Sequence, residues 1–141
     1  MRILVIDDQE DSRDITNAVI ISAGFSDVAT AASAWHALKI LGIWPKTDGP
    51  RSVDLILLDI VMQNIDGIEI CARVRKDERY VNLPIIMLTS LDDEDSLKVA
   101  FSAGATDYIT KPFTQMELVE RIQTATTSRT INELRLENST Q

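Results

Sequence analysis

The sequence predicts an α/β protein with a doubly wound parallel sheet, and three observations lead there. Ile3-Leu4-Val5-Ile6 and Leu55-Ile56-Leu57-Leu58 are unbroken apolar runs, the pattern of strands covered on both faces. Strand-like and helix-like segments alternate five times along the chain, and short helical crossovers between parallel strands put helices on both sides of a sheet. Both apolar runs end in acid, at Asp7-Asp8 and at Asp59, where open parallel sheets hold their ligands.

Taken in order, Arg2 to Ile6 reads as the first strand. The first helix, Asp11 to Ala23, has acids in its opening turn and presents Ile15, Val19 and Ser22 on one face before Gly24 stops it. Asp27 to Ala31 is the second strand and Ala32 to Leu41 the second helix, carrying Trp35 and the lone His36, the histidine on its surface. Gly42 to Ser52 holds two prolines and two glycines and reads as loop, with Trp44 expected to cover a neighbouring helix edge. Leu55 to Leu58 follows, entered at Asp54, and then a third helix, Gly67 to Lys76, capped by Asp66 and filled by Cys71. Ile85 to Thr89 is the fourth strand. Asp92 is expected to cap the fourth helix, with Asp93 to Asp95 at its positive end, Leu97, Ala100 and Phe101 as its inner stripe, and Gly104 as its left-handed terminus. Tyr108 to Thr110 is the fifth strand. Beyond Thr124, a heptad register through Leu118, Ile122 and Ala125 meets Arg129 and Asn132, which argues against a coiled coil. The chain therefore divides into a domain over 1-124 and a helical extension or linker over 125-141.

The formal net charge of -8, from 22 acids against 14 bases, argues against direct nucleic-acid binding, because phosphates need clustered Lys and Arg. Proteins and cations are the expected partners. With one cysteine and one histidine, an internal disulfide, a His-based triad and a zinc site all lack the residues they require. No apolar stretch approaches the roughly 18 residues of a membrane span, and a strand starting beside Met1 leaves no room for a signal peptide. A cytoplasmic protein with no membrane association is expected.

Parallel strands end on the same side, so Asp7, Asp8, Asp59, Thr89, Ser90 and Lys111 converge on one rim. The set is complementary. Carboxylates repel one another and call for a hard cation, Mg²⁺ or Ca²⁺, while a hydroxyl and an ammonium suit phosphoryl oxygens. One carboxylate can act as nucleophile, and phosphoryl transfer needs little beyond positioning and charge stabilisation.

The stretches ILVIDDQ, LILLDIVMQNIDG, PIIMLTS and AGATDYITKPF, in that order at those strand ends, resemble the receiver domain of two-component response regulators over Met1 to about Thr124. The resemblance implies a flavodoxin-like fold, a five-stranded parallel sheet of order 2-1-3-4-5 flanked by five helices. It also implies that Asp59 accepts a phosphoryl group from a phosphohistidine on a sensor histidine kinase or histidine phosphotransfer protein. Mg²⁺ would be held by Asp7, Asp8, Asp59 and the backbone carbonyl of Val61. Lys111, before a cis Pro112, would meet a phosphoryl oxygen; Thr89 would hydrogen-bond the phosphoryl group, and Tyr108 would turn into the space Thr89 vacates. The implied protein is a signalling phosphoacceptor that catalyses only its own phosphorylation and dephosphorylation. Val61 and Leu91, two residues after the acceptor and the hydroxyl, are apolar and cannot orient a water, so self-dephosphorylation is expected to be slow.

Two departures from the family pattern, Gln63 in place of a proline and the long Gly42 to Ser52 loop, bear on loop geometry. The face formed by the fourth helix, fifth strand and fifth helix carries Lys98, Asp107, Glu117 and Arg121. It is either a homodimer and output surface or a solvated one. Whether the receiver stands alone or is cut from a longer regulator stays open. Competing readings are a haloacid-dehalogenase-like phosphatase, which needs an acid where Val61 stands, and a flavodoxin-like module, whose phosphate would be repelled by Asp7, Asp8, Glu10 and Asp11. A phosphorylation-independent protein-binding module is the third alternative, disfavoured by the intact acid, hydroxyl and lysine set.

Overall fold

The computed structural model describes residues 1–62, 66–90 and 93–139. The elements are β1 (Ile3–Ile6), α1 (Glu10–Ser22), β2 (Val28–Ala31), α2 (Ala34–Ile40), β3 (Leu55–Asp59), α3 (Gly67–Arg75), a 3-10 turn (Glu78–Tyr80), β4 (Ile85–Thr89), α4 (Glu94–Ser102), β5 (Asp107–Thr110) and α5 (Gln115–Ser139). The strands form one parallel sheet of order β2-β1-β3-β4-β5, as the sequence leads one to expect.

Alternation along each strand builds two cores. Leu4, Ile6, Ile56, Leu58, Ile85 and Met87 face α2, α3 and α4, meeting Ala37, Ile70, Cys71, Val74 and Ala100. Ile3, Val5, Leu55, Leu57, Ile86 and Leu88 face the opposite way, onto Ile20 of α1 and Leu118, Ile122 and Ala125 of α5. A strand whose every residue is buried must be apolar throughout, which is why β1 and β3 carry no alternation in their sequences. Each fully buried aliphatic side chain contributes about 1.5–3 kcal/mol relative to exposure.

Two helices present different faces from those expected. On α1 the buried residues are Thr16 and Ile20, whereas Ile15 is 63 % exposed. Val19 of the expected stripe packs, partly buried, against the core, but the fully buried positions lie one residue on from Ile15 and Val19, a turn of about 100°. On α4 Ala100 is buried and Leu97 partly so, but Phe101 is 46 % exposed. Its cap is Asp93, which accepts from the Ser96 N–H and hydroxyl at 3.0 and 2.7 Å; Asp92 lies outside the described residues. Ser33 caps α2 and Asp66 caps α3, accepting from the N–H groups of His36 and Glu69. His36 is exposed and Cys71 is buried as a free thiol. Helix α5 continues to Ser139.

The Gly42 to Ser52 segment is held at the amino ends of the strands by a clasp. Arg79 donates to the carbonyls of Gly42 and Thr47 at 2.9 and 3.1 Å. Its guanidinium is in turn fixed by Asp77, at 3.0 Å to Oδ1 and 2.7 Å to Oδ2. Tyr80, fully buried, donates its hydroxyl to the Leu41 carbonyl at 2.7 Å, and the Ser52 hydroxyl donates to the Ile40 carbonyl at 2.9 Å. Trp44 lies beside α2 and α3 but stays 62 % exposed. It borders a groove with Leu38, Ile43, Glu69, Arg73 and Lys76. The segment is thus tied to the body by its backbone carbonyls rather than by its aromatic ring. No described helix is long and apolar enough to cross a membrane.

Candidate functional site

The sheet register decides which side chains meet. Ile6 pairs with Leu58, Asp59 with Leu88 and Thr89 with Thr110, so β1, β3, β4 and β5 finish at one level. Past the end of β1, the Asp7 N–H still donates to the Ala31 carbonyl at 3.1 Å, and the Lys111 N–H donates to the Thr89 carbonyl at 2.7 Å. The residues just beyond the strands are therefore fixed by their backbones before their side chains are considered. The Lys111-Pro112 bond is cis.

Lys111 is the centre of the site. Its Nζ donates to Asp59 Oδ2 at 3.2 Å, to Asp7 Oδ2 at 3.3 Å and to the Ser12 hydroxyl at 2.6 Å. The second carboxylate oxygens are held by backbone amides: Asp7 Oδ1 accepts from the Gln9 N–H and Asp59 Oδ1 from the Val61 N–H, both at 3.0 Å. Asp7 and Asp59 are thus brought together over one ammonium. Asp8 is half-buried at the start of the following turn, and Thr89 and Tyr108 are buried behind the rim. Val61 is 54 % exposed, and its amide is the group that reaches Asp59. Leu91 and Gln63 lie outside the described residues.

Burial pushes the Asp59 carboxyl above its ordinary range, and the neighbouring Asp7 charge adds to this. The Lys111 ammonium and the Val61 amide pull the other way without cancelling the rise. A group held this way gains more from a nearby cation than an exposed carboxylate does. As they stand, no three His, Cys, Asp or Glu side chains among the described residues are grouped to hold a metal ion. The donor chemistry nevertheless fits a hard cation, since the Asp7 and Asp59 oxygens already converge on a positive charge at 3.2–3.3 Å.

Two residues of this site escape a reading of the sequence. Ser12 sits on α1, and no local signal marks it because its partner Lys111 lies 99 residues away in sequence. Gly67 opens α3 directly against the end of β3: its N–H donates to the Ile60 carbonyl at 2.9 Å. A Cβ there would meet the Asp59 carbonyl and approach Ile60 Cα to 2.8 Å. Only glycine lets the helix come so near the acid.

The face formed by α4, β5 and α5 carries Lys98, Asp107, Glu117 and Arg121, and two ion pairs within the chain engage Lys98, Asp107 and Arg121. Arg121 meets Asp107 at 2.6 Å and Lys98 meets Glu94 at 3.4 Å. Val99, Phe101 and Met116 of α4 and α5 are exposed.

Known proteins share this fold and much of its sequence. The family model for the response regulator receiver domain matches residues 3–123. The chain is 38 % identical over 121 residues to the probable transcriptional regulator ycf27 of Cyanidium caldarium, covering 86 % of this chain and 44 % of that protein. It therefore spans less than half of that regulator's length. It is 31 % identical over 123 residues to the chemotaxis protein CheY1 of Helicobacter pylori, covering 87 % of this chain and 94 % of that one. The CheX-CheY-BeF3-Mg²⁺ complex from Borrelia burgdorferi contains a chain of the same fold, with a TM-score of 0.75 at 26 % identity, covering 88 % of this chain and 87 % of that one. A match over nearly the whole sheet, joined to an acid pair, a strand-end aspartate and a lysine at one rim, means that the chain belongs to the response regulator receiver domain family.

Proposed function

We propose that Asp59 accepts a phosphoryl group from a phosphohistidine on a sensor histidine kinase or histidine phosphotransfer protein. The observation that carries this reading is the contact of Lys111 with Asp59, backed by Asp7, at the carboxyl ends of the strands. An Asp59 oxygen forms the new O–P bond as the donor's N–P bond breaks, and the donor imidazole keeps the electron pair. The Lys111 ammonium lies beside the attacking carboxylate and can follow the charge onto the phosphoryl oxygens.

Mg²⁺ is the proposed metal, held by Asp7, Asp8, Asp59 and the Val61 carbonyl. When bound it neutralises phosphoryl charge and draws Asp59 toward its ionised form. Support comes from the oxygen donors that converge at Lys111 and from the Mg²⁺ in the B. burgdorferi complex. Thr89 is proposed to donate to the phosphoryl group and Tyr108 to follow it, biasing the α4–β5–α5 face. The exposed Val99, Phe101 and Met116 support that face as the output or homodimer surface of a cytoplasmic switch. A phosphatase reading is not favoured, because exposed Val61 stands where it needs an acid.

Incubation with Mg²⁺ and acetyl phosphate, followed by intact mass, tests the reading. An acid-labile gain of roughly 80 Da, one phosphoryl group, is expected in the native chain and not in Asp59→Asn. An adduct that survives the substitution would overturn it.

A further inference from the structure

We infer that Ser12 is a positioning residue for Lys111, fixing the direction in which the ammonium presents its proton to the phosphoryl group. The inference rests on the phosphoacceptor reading of Asp59. An ammonium has three N–H bonds, and here each has a partner: Asp7, Asp59 and Ser12. The two carboxylates attract a positive charge from any orientation. A neutral hydroxyl does not, so its short 2.6 Å contact is directional.

Ser12 is well anchored for this task. It lies on the first turns of α1, and the next residue, Arg13, donates its guanidinium to the Asp7 carbonyl at 2.9 Å. The helix that carries the hydroxyl is thereby tied to the strand end that carries an acid. A serine inside a helix ordinarily bonds back to its own preceding turn; here it accepts from a lysine 99 residues away. With Asp7 and Ser12 holding two N–H bonds, the third points at Asp59. When the O–P bond forms and the N–P bond breaks, that third bond passes from the Asp59 oxygen to a phosphoryl oxygen while the other two stay in place. A flexible four-carbon side chain loses its rotational freedom beforehand rather than during reaction.

The test uses the full chain with Mg²⁺ and acetyl phosphate. Ser12→Ala is expected to lower the maximal rate of Asp59 phosphorylation about tenfold, the value of one hydrogen bond to a charged group. The acetyl phosphate concentration at half-maximal rate should stay near that of the native chain, and Ser12→Thr should restore the rate. In a Lys111→Met background, followed over hours, Ser12→Ala should have no further effect. An unchanged rate in Ser12→Ala, or the same fold-loss in both backgrounds, would overturn the inference.

A second arm needs no phosphorylation. Loss of the hydroxyl leaves the Nζ with one fewer anchor and more often turned out of the site, so acetic anhydride should reach and label Lys111 of Ser12→Ala about two- to fivefold faster relative to Lys98. Equal labelling sinks the Ser12 assignment. If the native chain takes no phosphate while this labelling difference is found, the Asp59 reading fails and the Ser12–Lys111 contact stands.

Discussion

Replacing Asp77 with asparagine cuts the clasp that holds the Gly42 to Ser52 segment. The Asp77 side chain is only 5 % exposed and takes two bonds from the Arg79 guanidinium and a third from the Arg79 N–H at 3.0 Å. Lys46 adds a contact at 3.6 Å. These partners, Arg79 first, hold the Asp77 carboxyl well below the usual carboxylate range.

Asparagine keeps the shape and can still accept from the Arg79 N–H, but it leaves a guanidinium that also serves the Gly42 and Thr47 carbonyls without its counter-charge. Breaking a buried pair on one side costs about 3–5 kcal/mol. Arg79 is 18 % exposed and keeps its carbonyl partners, so a loss of about 2–3 kcal/mol is expected near neutral pH. For a chain of this size that is a fall in Tm of roughly 6–12 °C.

The sign of the pH dependence follows from the depressed carboxyl. Its stabilisation is fully present above the ordinary carboxylate pKa and is lost as pH falls toward the lower folded-state value. The gap between native and variant, read by circular dichroism melts at pH 7, 5 and 3, should be constant from 7 to 5 and narrow by 3. Equal Tm values at pH 7, or a gap that does not change with pH, would refute the account of the clasp.

Three further outcomes follow from the site. Asp59→Asn should raise Tm at neutral pH, because burial disfavours the Asp59 anion. A raised folded-state pKa stabilises the fold only as the acid becomes protonated, so this advantage should shrink as pH falls through the ordinary carboxylate range; an Asp59→Asn chain less stable than the native one at pH 7 would contradict it. Gly67→Ala pushes a methyl into the backbone of Asp59 and Ile60; a loss of about 1–3 kcal/mol in urea melts should come with slower acetyl phosphate labelling, and a neutral result would show that α3 can slide away. Chelating Mg²⁺ with EDTA should abolish labelling, and excess Mg²⁺ should restore it; labelling that persists in EDTA would remove the metal from the proposed reaction.

The strands were legible because each requirement on them is local. β1 and β3 must be apolar at every position to serve two cores, and the acids that end them stand out against such runs. The helix faces were less so. In α1, Ile15, Val19, Ile20 and Ile21 run around the cylinder, and periodicity cannot choose among faces when apolar residues lie on several. Docking onto Ile3 and Val5 selects Thr16 and Ile20 and leaves Ile15 outside. Phe101 misleads for a related reason, since its size suggests burial while α4 turns Ala100 and Leu97 toward the core and leaves Phe101 46 % exposed. Of the site, the acids and Lys111 announce themselves by following strands. Ser12 and the Asp77–Arg79 clasp do not, because each depends on a partner brought close only by the fold.

Lys111 meets Asp7, Ser12 and Asp59 across 104, 99 and 52 residues of sequence. Contacts of such separation form late, after loop-closure entropy has been overcome. During synthesis, a chain shorter than Lys111 would hold its aspartate without its ammonium, and β5 would have to dock on β4 before the two could meet. On the proposed reading of Asp59, assembly of the acid and lysine site is thus coupled to completion of the sheet.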